Sequence, residues 1–127
     1  MGRTNAPSVE FMIIKKVNDI PAVPVTADEA RKVRVRVVFG PKDGAPTFAM
    51  RLFEVEPGGC TPHHAHPFEH EIMILEGNLT VAGAADELPL GPGDALMLLP
   101  GETHQLRNLS PARPARFLCM VPVEYQK

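Results

Sequence analysis

Glycine and proline divide this chain into short segments, and no other feature limits its fold as strongly. The 127 residues include 14 prolines and 10 glycines, which recur about every 8 to 15 residues. Both residue types interrupt helices and favour turns, so the pattern predicts short strands joined by tight connections. The connections GPKDGAP, EPGG, AGAAD, GPGD and PGET carry the glycine, proline and aspartate that turns require.

Most segments between these turns have the composition of β-strands, because they alternate in polarity or are rich in β-branched and aromatic residues. Val33 to Val37 alternates between valine and arginine, as expected for a strand with one face in water. Ala95–Leu99 is apolar throughout. Two packed antiparallel sheets or a small barrel would accommodate both patterns. The predicted strands are Val33–Phe39, Thr47–Val55, His70–Glu76, Leu79–Gly83, Ala95–Leu99, His104–Asn108 and Ala115–Val121.

One segment has a helical pattern instead. In Thr26–Val33, Thr26 is suited to an N-cap and Glu29 stands three residues on, in the capping-box position. At most one short helical turn is predicted there. Residues 1–10 lack periodicity and are predicted to be a disordered arm, and residues 11–127 to form a single domain with its core at about 33–123.

Composition argues against several function classes. The formal net charge is -2, so the chain lacks the basic excess typical of proteins that bind nucleic acid or anionic membranes. No apolar run reaches the roughly 18 residues of a spanning helix, and the first residues lack a signal-peptide pattern. A cytoplasmic location is therefore expected. Cys60 and Cys119 are far apart and are interpreted as reduced thiols.

The stretch HHAHPFEHEIMILEG holds four of the five histidines. Successive side chains of an extended chain alternate sides, so His64 and His66 point the same way and His63 points away. His70 keeps this phase, and Ile72 and Ile74 share its face, which is therefore predicted to face the interior.

The fifth histidine, His104, follows the turn Pro100–Thr103 and begins another predicted strand. His64, His66, His70 and His104 could thus converge from two hairpins inside a barrel, and this set is the predicted metal site. Imidazole suits Zn, Fe, Ni, Cu or Co better than Mg or Ca. One divalent ion per chain is expected.

Two motifs resemble those of the cupin family. The first motif is similar to the pattern Gly58-x5-His64-x-His66-x3-His70-x6-Gly77 in this sequence. The second motif is similar to Gly93-Asp94 followed by Pro100-Gly101-Glu102-Thr103-His104-x3-Asn108. The resemblance covers about residues 33–123. It implies an all-β jelly-roll barrel (a double-stranded β-helix) of two antiparallel sheets and adds Mn to the metals considered.

The sequence departs from the family pattern at His70, where the family usually has glutamate, and Pro100 and Gly101 are contiguous instead of one residue apart. A four-histidine site is a known variant, so the first departure changes the ligand set only. The family also implies a homodimer and a small-molecule ligand. It includes dioxygenases, isomerases, lyases and sensory domains, so fold alone leaves the function open.

Four other groups of residues have side chains that could serve such a site. Glu69 and Glu71 have the opposite phase to the histidines and are interpreted as solvent-facing or structural residues, in preference to a general base. Cys119 is placed on the interior face, with core filling preferred to a pocket role, and Cys60 is a weak ligand candidate. The arginines Arg34, Arg36 and Arg51 are interpreted as lying on a solvent-exposed strand face, in preference to forming a binding site for an anionic substrate. No catalytic residue is assigned.

Two hypotheses follow. The first is an enzyme that binds and transforms a small oxygen-containing molecule at the four-histidine metal, with dioxygenase, isomerase or lyase chemistry. The alternative is a non-catalytic binding or sensor protein with a metal-anchored pocket. A purely structural metal is disfavoured, because four ligands leave two positions open in an octahedral site.

Overall fold

The computed structural model describes residues 12–27 and 29–126. Within them nine strands form, together with three single 3-10 turns at Val17–Asp19, Pro41–Asp43 and Val123–Tyr125. None of the helices in this part of the chain is long and apolar enough to cross a membrane. The strands are β1 (Val23–Pro24), β2 (Arg31–Phe39), β3 (Phe48–Cys60), β4 (His70–Glu76), β5 (Leu79–Ala82), β6 (Glu87–Leu90), β7 (Ala95–Leu98), β8 (Gln105–Arg107) and β9 (Ala115–Pro122).

All strand pairs are antiparallel and curl into a barrel-like sheet with the order β6-β5-β8-β3-β9-β4-β7, while β2 pairs with β3 and β1 with β2. The long strand β3 lies in the middle of this order and connects β6-β5-β8 with β9-β4-β7. Its segment Phe48–Val55 pairs with β9, and Cys60 at its end pairs with β8. The all-β jelly-roll prediction is confirmed, and all seven predicted strands form with ends shifted by a few residues at most, except β3.

β3 runs beyond its predicted end because the EPGG segment is a bend within the strand instead of a connection. Gly58 has φ of +79°, which glycine adopts without strain. A Cβ on Gly59 would lie 2.7 Å from the Arg31 carbonyl oxygen, so that position requires glycine too. Both glycines form backbone hydrogen bonds with Asn108, just after the neighbouring strand β8.

The core is formed by buried side chains of β2, β3, β4, β5, β7, β8 and β9, with β9 contributing the largest share. Phe117 stacks on Phe53 with ring centroids 4.8 Å apart. Alternation on β9 is strict, since Ala115, Phe117, Cys119 and Val121 are buried. The predicted interior face of β4 is confirmed, because Ile72 and Ile74 are both buried. Both cysteines are free and buried.

No helical turn forms among the described residues of Thr26–Val33, which is within the prediction of at most one there. The described residues there form a tight turn, in which the Ala30 N–H donates to the Ala27 carbonyl, and Arg31 begins β2. Val33 pairs with Val55 of β3, and its carbonyl accepts from the Val25 N–H. These strand contacts outweigh the weak local helix preference. The predicted arm, residues 1–10, lies outside the described residues.

Candidate metal centre

The barrel contains a cavity of about 420 Å³ that is open to solvent, and the histidines line one part of its wall. Aromatic and aliphatic side chains make up most of the remaining wall. The lining residues include Val25, Val35, Arg51, Phe53, Thr61, His64, His66, Phe68, His70, Ile72, His104, Leu106, Phe117, Cys119 and Tyr125. No aspartate or glutamate belongs to this wall among the described residues.

Backbone pairing places the two histidine segments opposite each other. His64 and His104 form an isolated antiparallel bridge, in which the His64 N–H donates to the His104 carbonyl at 3.3 Å and the reverse bond is 3.1 Å. The Gly101 N–H donates to the His66 carbonyl at 2.7 Å. The turn that precedes His104 is therefore fixed to the segment that carries the other histidines.

Three imidazoles converge. One ring nitrogen from each of His66, His70 and His104 lies within 4.8 Å of those of the other two, close enough for one metal ion to be shared. The His64 ring adjoins them, with its centroid 4.1 Å from that of His66 and 6.2 Å from that of His104. The structure thus brings all four predicted residues to one place, with three of them forming the tight group.

The burial of these rings favours neutral imidazole. The pKa of His70 is lowered from 6.5 to about 3, chiefly by burial and next by the nearby Arg51 charge. The pKa of His66 is lowered to about 4, again chiefly by burial, and burial also lowers the pKa of His104. A neutral imidazole has a free lone pair, so these groups are available as metal ligands at neutral pH.

Hydrogen bonds orient two of the rings in the way that metal ligands require. His104 Nδ1 lies 3.0 Å from the Glu102 carbonyl oxygen, so its proton is held there and Nε2 carries the lone pair. His70 Nδ1 lies 3.5 Å from Cys119 Sγ. His70 Nε2 is buried and has no hydrogen-bond partner among the described residues. Such an orphaned nitrogen, facing two further imidazoles, fits a metal ion.

Several predictions about neighbouring residues are confirmed. His63 is exposed, as its phase predicted, and so are Glu69 and Glu71. Cys60 is buried outside the cavity wall, where its thiol donates to the Glu29 carbonyl at 3.2 Å.

The interpretation that Arg51 lies on a solvent-exposed strand face is wrong. Arg34 is exposed and Arg36 is paired with Glu54, but Arg51 points into the cavity from the interior face of β3. Its guanidinium donates to Cys119 Sγ at 3.0 Å. Cys119 is buried as predicted, yet it also lines the cavity, so core filling describes its position only in part. Burial raises the pKa of the Cys119 thiol, although Arg51 acts in the opposite direction.

Two aromatic residues of the site were not identified from the sequence. Phe68 stacks on His66, with centroids 4.7 Å apart, and on His70 at 5.0 Å. Tyr125, from the turn after β9, also stacks on Phe68, with ring centroids 4.0 Å apart. The only pattern that could have indicated Phe68 is its even spacing from His66 and His70, and nothing in the local sequence indicates Tyr125.

Comparisons with known proteins agree with this architecture. Residues 51–121 match the Cupin domain family. The chain is 32% identical over 123 residues to 1-methylthio-D-xylulose 5-phosphate methylsulfurylase of Rhodospirillum rubrum, covering 95% of this chain and 70% of that protein.

Two polyketide-pathway proteins are also similar. The solved structure of the polyketide cyclase RemF from Streptomyces resistomycificus superposes with a TM-score of 0.85 at 33% identity, covering 92% of this chain and 83% of that one. Tetracenomycin polyketide synthase protein TcmJ of Streptomyces glaucescens is 30% identical over 66 residues, which is 51% of this chain and 44% of that protein. With the family match over more than half of its length and both motifs in place around one cavity, the chain belongs to the cupin family.

Proposed function

We propose that His64, His66, His70 and His104 hold one divalent transition-metal ion, and that the chain is an enzyme acting on a small oxygen-containing organic molecule. The observation that carries this proposal is the convergence of three imidazole nitrogens within 4.8 Å. The metal is Zn, Fe, Ni, Co or Cu, which imidazole nitrogen suits, or Mn, which membership of the family adds. His64 is the proposed fourth ligand because its ring adjoins that of His66.

The donor set determines what the site can do. Four neutral imidazoles bring no negative charge to a divalent ion, in contrast to a set that includes glutamate. When bound there, the ion supplies Lewis-acid polarisation of a carbonyl or carboxylate oxygen. Anionic oxygen ligands are favoured for the same reason.

The cavity wall favours an aromatic or polyketide-like substrate. Phe53, Phe68, Phe117 and Tyr125 give it flat apolar surfaces that exclude water and orient a planar molecule. Arg51 is the only lysine or arginine among the described lining residues, whereas a sugar phosphate usually requires several cationic donors. The similarity to RemF and TcmJ supports the same substrate class. We therefore favour a cyclisation or enolisation of a poly-β-ketone.

Proton transfer in such a reaction must use groups other than carboxylates, because the described wall contains none. The Tyr125 hydroxyl and the Cys119 thiol are the residues of the wall that can give or accept a proton beside the histidines. Cys119 Sγ lies 3.5 Å from His70 Nδ1. We assign these two residues as candidates for moving the proton.

Metal content tests the ligand assignment. Purified protein is expected to carry about one divalent ion per chain, measured by inductively coupled plasma mass spectrometry. His70→Ala should remove most of it, and His63→Ala should not, since His63 is exposed and out of phase. Equal losses in the two variants, or a metal-free wild type after expression in metal-replete medium, would contradict the proposed site.

Turnover tests the enzyme assignment. The protein reconstituted anaerobically with each metal is offered a linear poly-β-ketone, a ketose phosphate and, for the iron form, oxygen. Cyclised product from the poly-β-ketone supports the proposal, and turnover of the ketose phosphate alone would replace the substrate class. Tight binding without product for any metal would favour the alternative, a non-catalytic binding protein.

We also propose a homodimer. Four large apolar side chains are exposed on or next to β4 and β7, namely Met73 and Leu75 on β4, Met97 on β7 and Leu99 just after it. An apolar surface of this kind on a sheet is typically covered by a partner.

A further inference from the structure

We propose that Arg51 is an anion-binding subsite of the cavity, and that the ligand of this protein carries a carboxylate which Arg51 binds. This inference rests on the function proposed above, since the carboxylate is taken to belong to the molecule that reaches the histidines. It adds a specificity-determining residue outside the two cupin motifs.

The contacts of Arg51 leave its hydrogen-bonding capacity largely unused. One terminal nitrogen donates to Cys119 Sγ at 3.0 Å, and sulfur is a weak acceptor. Arg51 Nε is buried and has no hydrogen-bond partner among the described residues. The guanidinium carbon lies 5.0 Å from the centroid of the Phe53 ring, which holds the group in place without satisfying its N–H donors.

The charge of Arg51 is also not neutralised. Within residues 12–27 and 29–126, no carboxylate lies within ion-pair distance of it. Two other arginines that lack an ion pair, Arg31 and Arg113, are exposed to water. By contrast, each of the remaining described arginines pairs with a glutamate, namely Arg34, Arg36, Arg107 and Arg116. A half-buried cation with a free donor, in a cavity whose described wall has no carboxylate, indicates that the ligand supplies the negative charge.

The number of donors indicates which anion is bound. A guanidinium edge binds a carboxylate through two parallel N–H···O bonds. A phosphate dianion requires further cationic donors, and no second lysine or arginine belongs to the described cavity wall. The aromatic side chains around Arg51 suit the organic part of the molecule. The inferred ligand is therefore an organic carboxylate with a flat or apolar body.

Metal-free protein tests the subsite independently of the metal. Binding of benzoate, benzamide and phenyl phosphate is measured by NMR titration on the wild type, Arg51→Gln, Arg51→Lys and the surface control Arg34→Gln. Benzoate should bind at least about tenfold more tightly than benzamide, the equivalent of one charge-assisted pair. This preference should disappear in Arg51→Gln, fall in Arg51→Lys and persist in Arg34→Gln.

Three results would overturn the inference. They are equal affinity of the wild type for benzoate and benzamide, an unchanged preference in Arg51→Gln, and tighter binding of phenyl phosphate than of benzoate. If circular dichroism shows that Arg51→Gln is unfolded, the benzoate preference of Arg51→Lys is the deciding measurement. This variant keeps the positive charge and loses the bidentate hydrogen-bond donor. An unchanged preference in Arg51→Lys then contradicts the inference.

A second experiment separates this inference from the proposed function. Zinc-loaded protein is titrated with 4,6-dioxoheptanoate and with its methyl ester, which share a 1,3-diketone and differ only in the carboxylate. Binding of both, with the acid tighter by about tenfold, supports both proposals. Equal binding refutes the role of Arg51 and leaves the function standing. Binding of neither refutes the function, and the metal-free titrations still decide the role of Arg51.

Discussion

The burial of His70 gives the metal-free chain a dependence of folding stability on pH. Its pKa is about 3 in the folded chain, whereas a histidine in the unfolded chain titrates near about 6.5. The unfolded chain therefore takes up the proton first. The contribution to the free energy of unfolding is fully present above pH 6.5 and is lost as the pH falls toward 3. Between pH 7 and pH 4.5 the loss from this residue is about 2 to 3 kcal/mol.

Guanidinium denaturation of metal-free protein at the two pH values measures this loss. Wild type, His70→Leu and the exposed control His63→Gln are compared, because carboxylates with lowered pKa, such as Asp43, titrate equally in all three. His70→Leu should lose about 2 kcal/mol less than wild type on acidification, and His63→Gln should behave as wild type. If His70→Leu loses as much stability as wild type, His70 is not a buried neutral imidazole and the electrostatic account of the site fails.

Three further predictions concern stability and assembly. Asn108→Ala should lower the free energy of unfolding by about 2 to 4 kcal/mol in chemical denaturation, since its buried amide bonds to two carbonyls and one N–H. Gly77→Ala should cost at least about 3 kcal/mol, because φ is +75° and the new Cβ would lie 2.4 Å from the Pro114 carbonyl oxygen. Met97→Glu should convert the proposed dimer to a monomer in light scattering, and an unchanged dimeric mass would place the interface elsewhere.

The barrel and the histidine group could be predicted because both depend on local patterns. Alternating polarity between turns rich in glycine and proline identifies a strand without reference to its partners, as β4 and β9 illustrate. The even spacing of His64, His66 and His70 places them on one side of an extended chain, and the structure agrees. A second motif then supplies His104, so no knowledge of strand pairing was needed to find the group.

Elements that depend on their partners could not be predicted. β1 is only two residues long and contains Pro24, and β6 contains Pro89. Proline lacks the N–H of a ladder bond, so both segments resemble loops in the sequence. They become strands because β2 and β5 lie alongside them. The same cause makes Thr26–Val33 a turn and a strand start instead of a helical turn.

Arg51 was misplaced for a related reason. Its strand has apolar residues on both faces, because outward Leu52 is also buried, so alternation alone does not show which face is interior. Strand pairing does, since Arg51 lies opposite Cys119 on β9, and Cys119 lies opposite Ile72 on β4. Directly opposed residues share a face of the sheet, and Ile72 is on the His70 face. Arg51 therefore faces the interior of the barrel. Only the strand register reveals this position, and no metal-binding motif requires an arginine there.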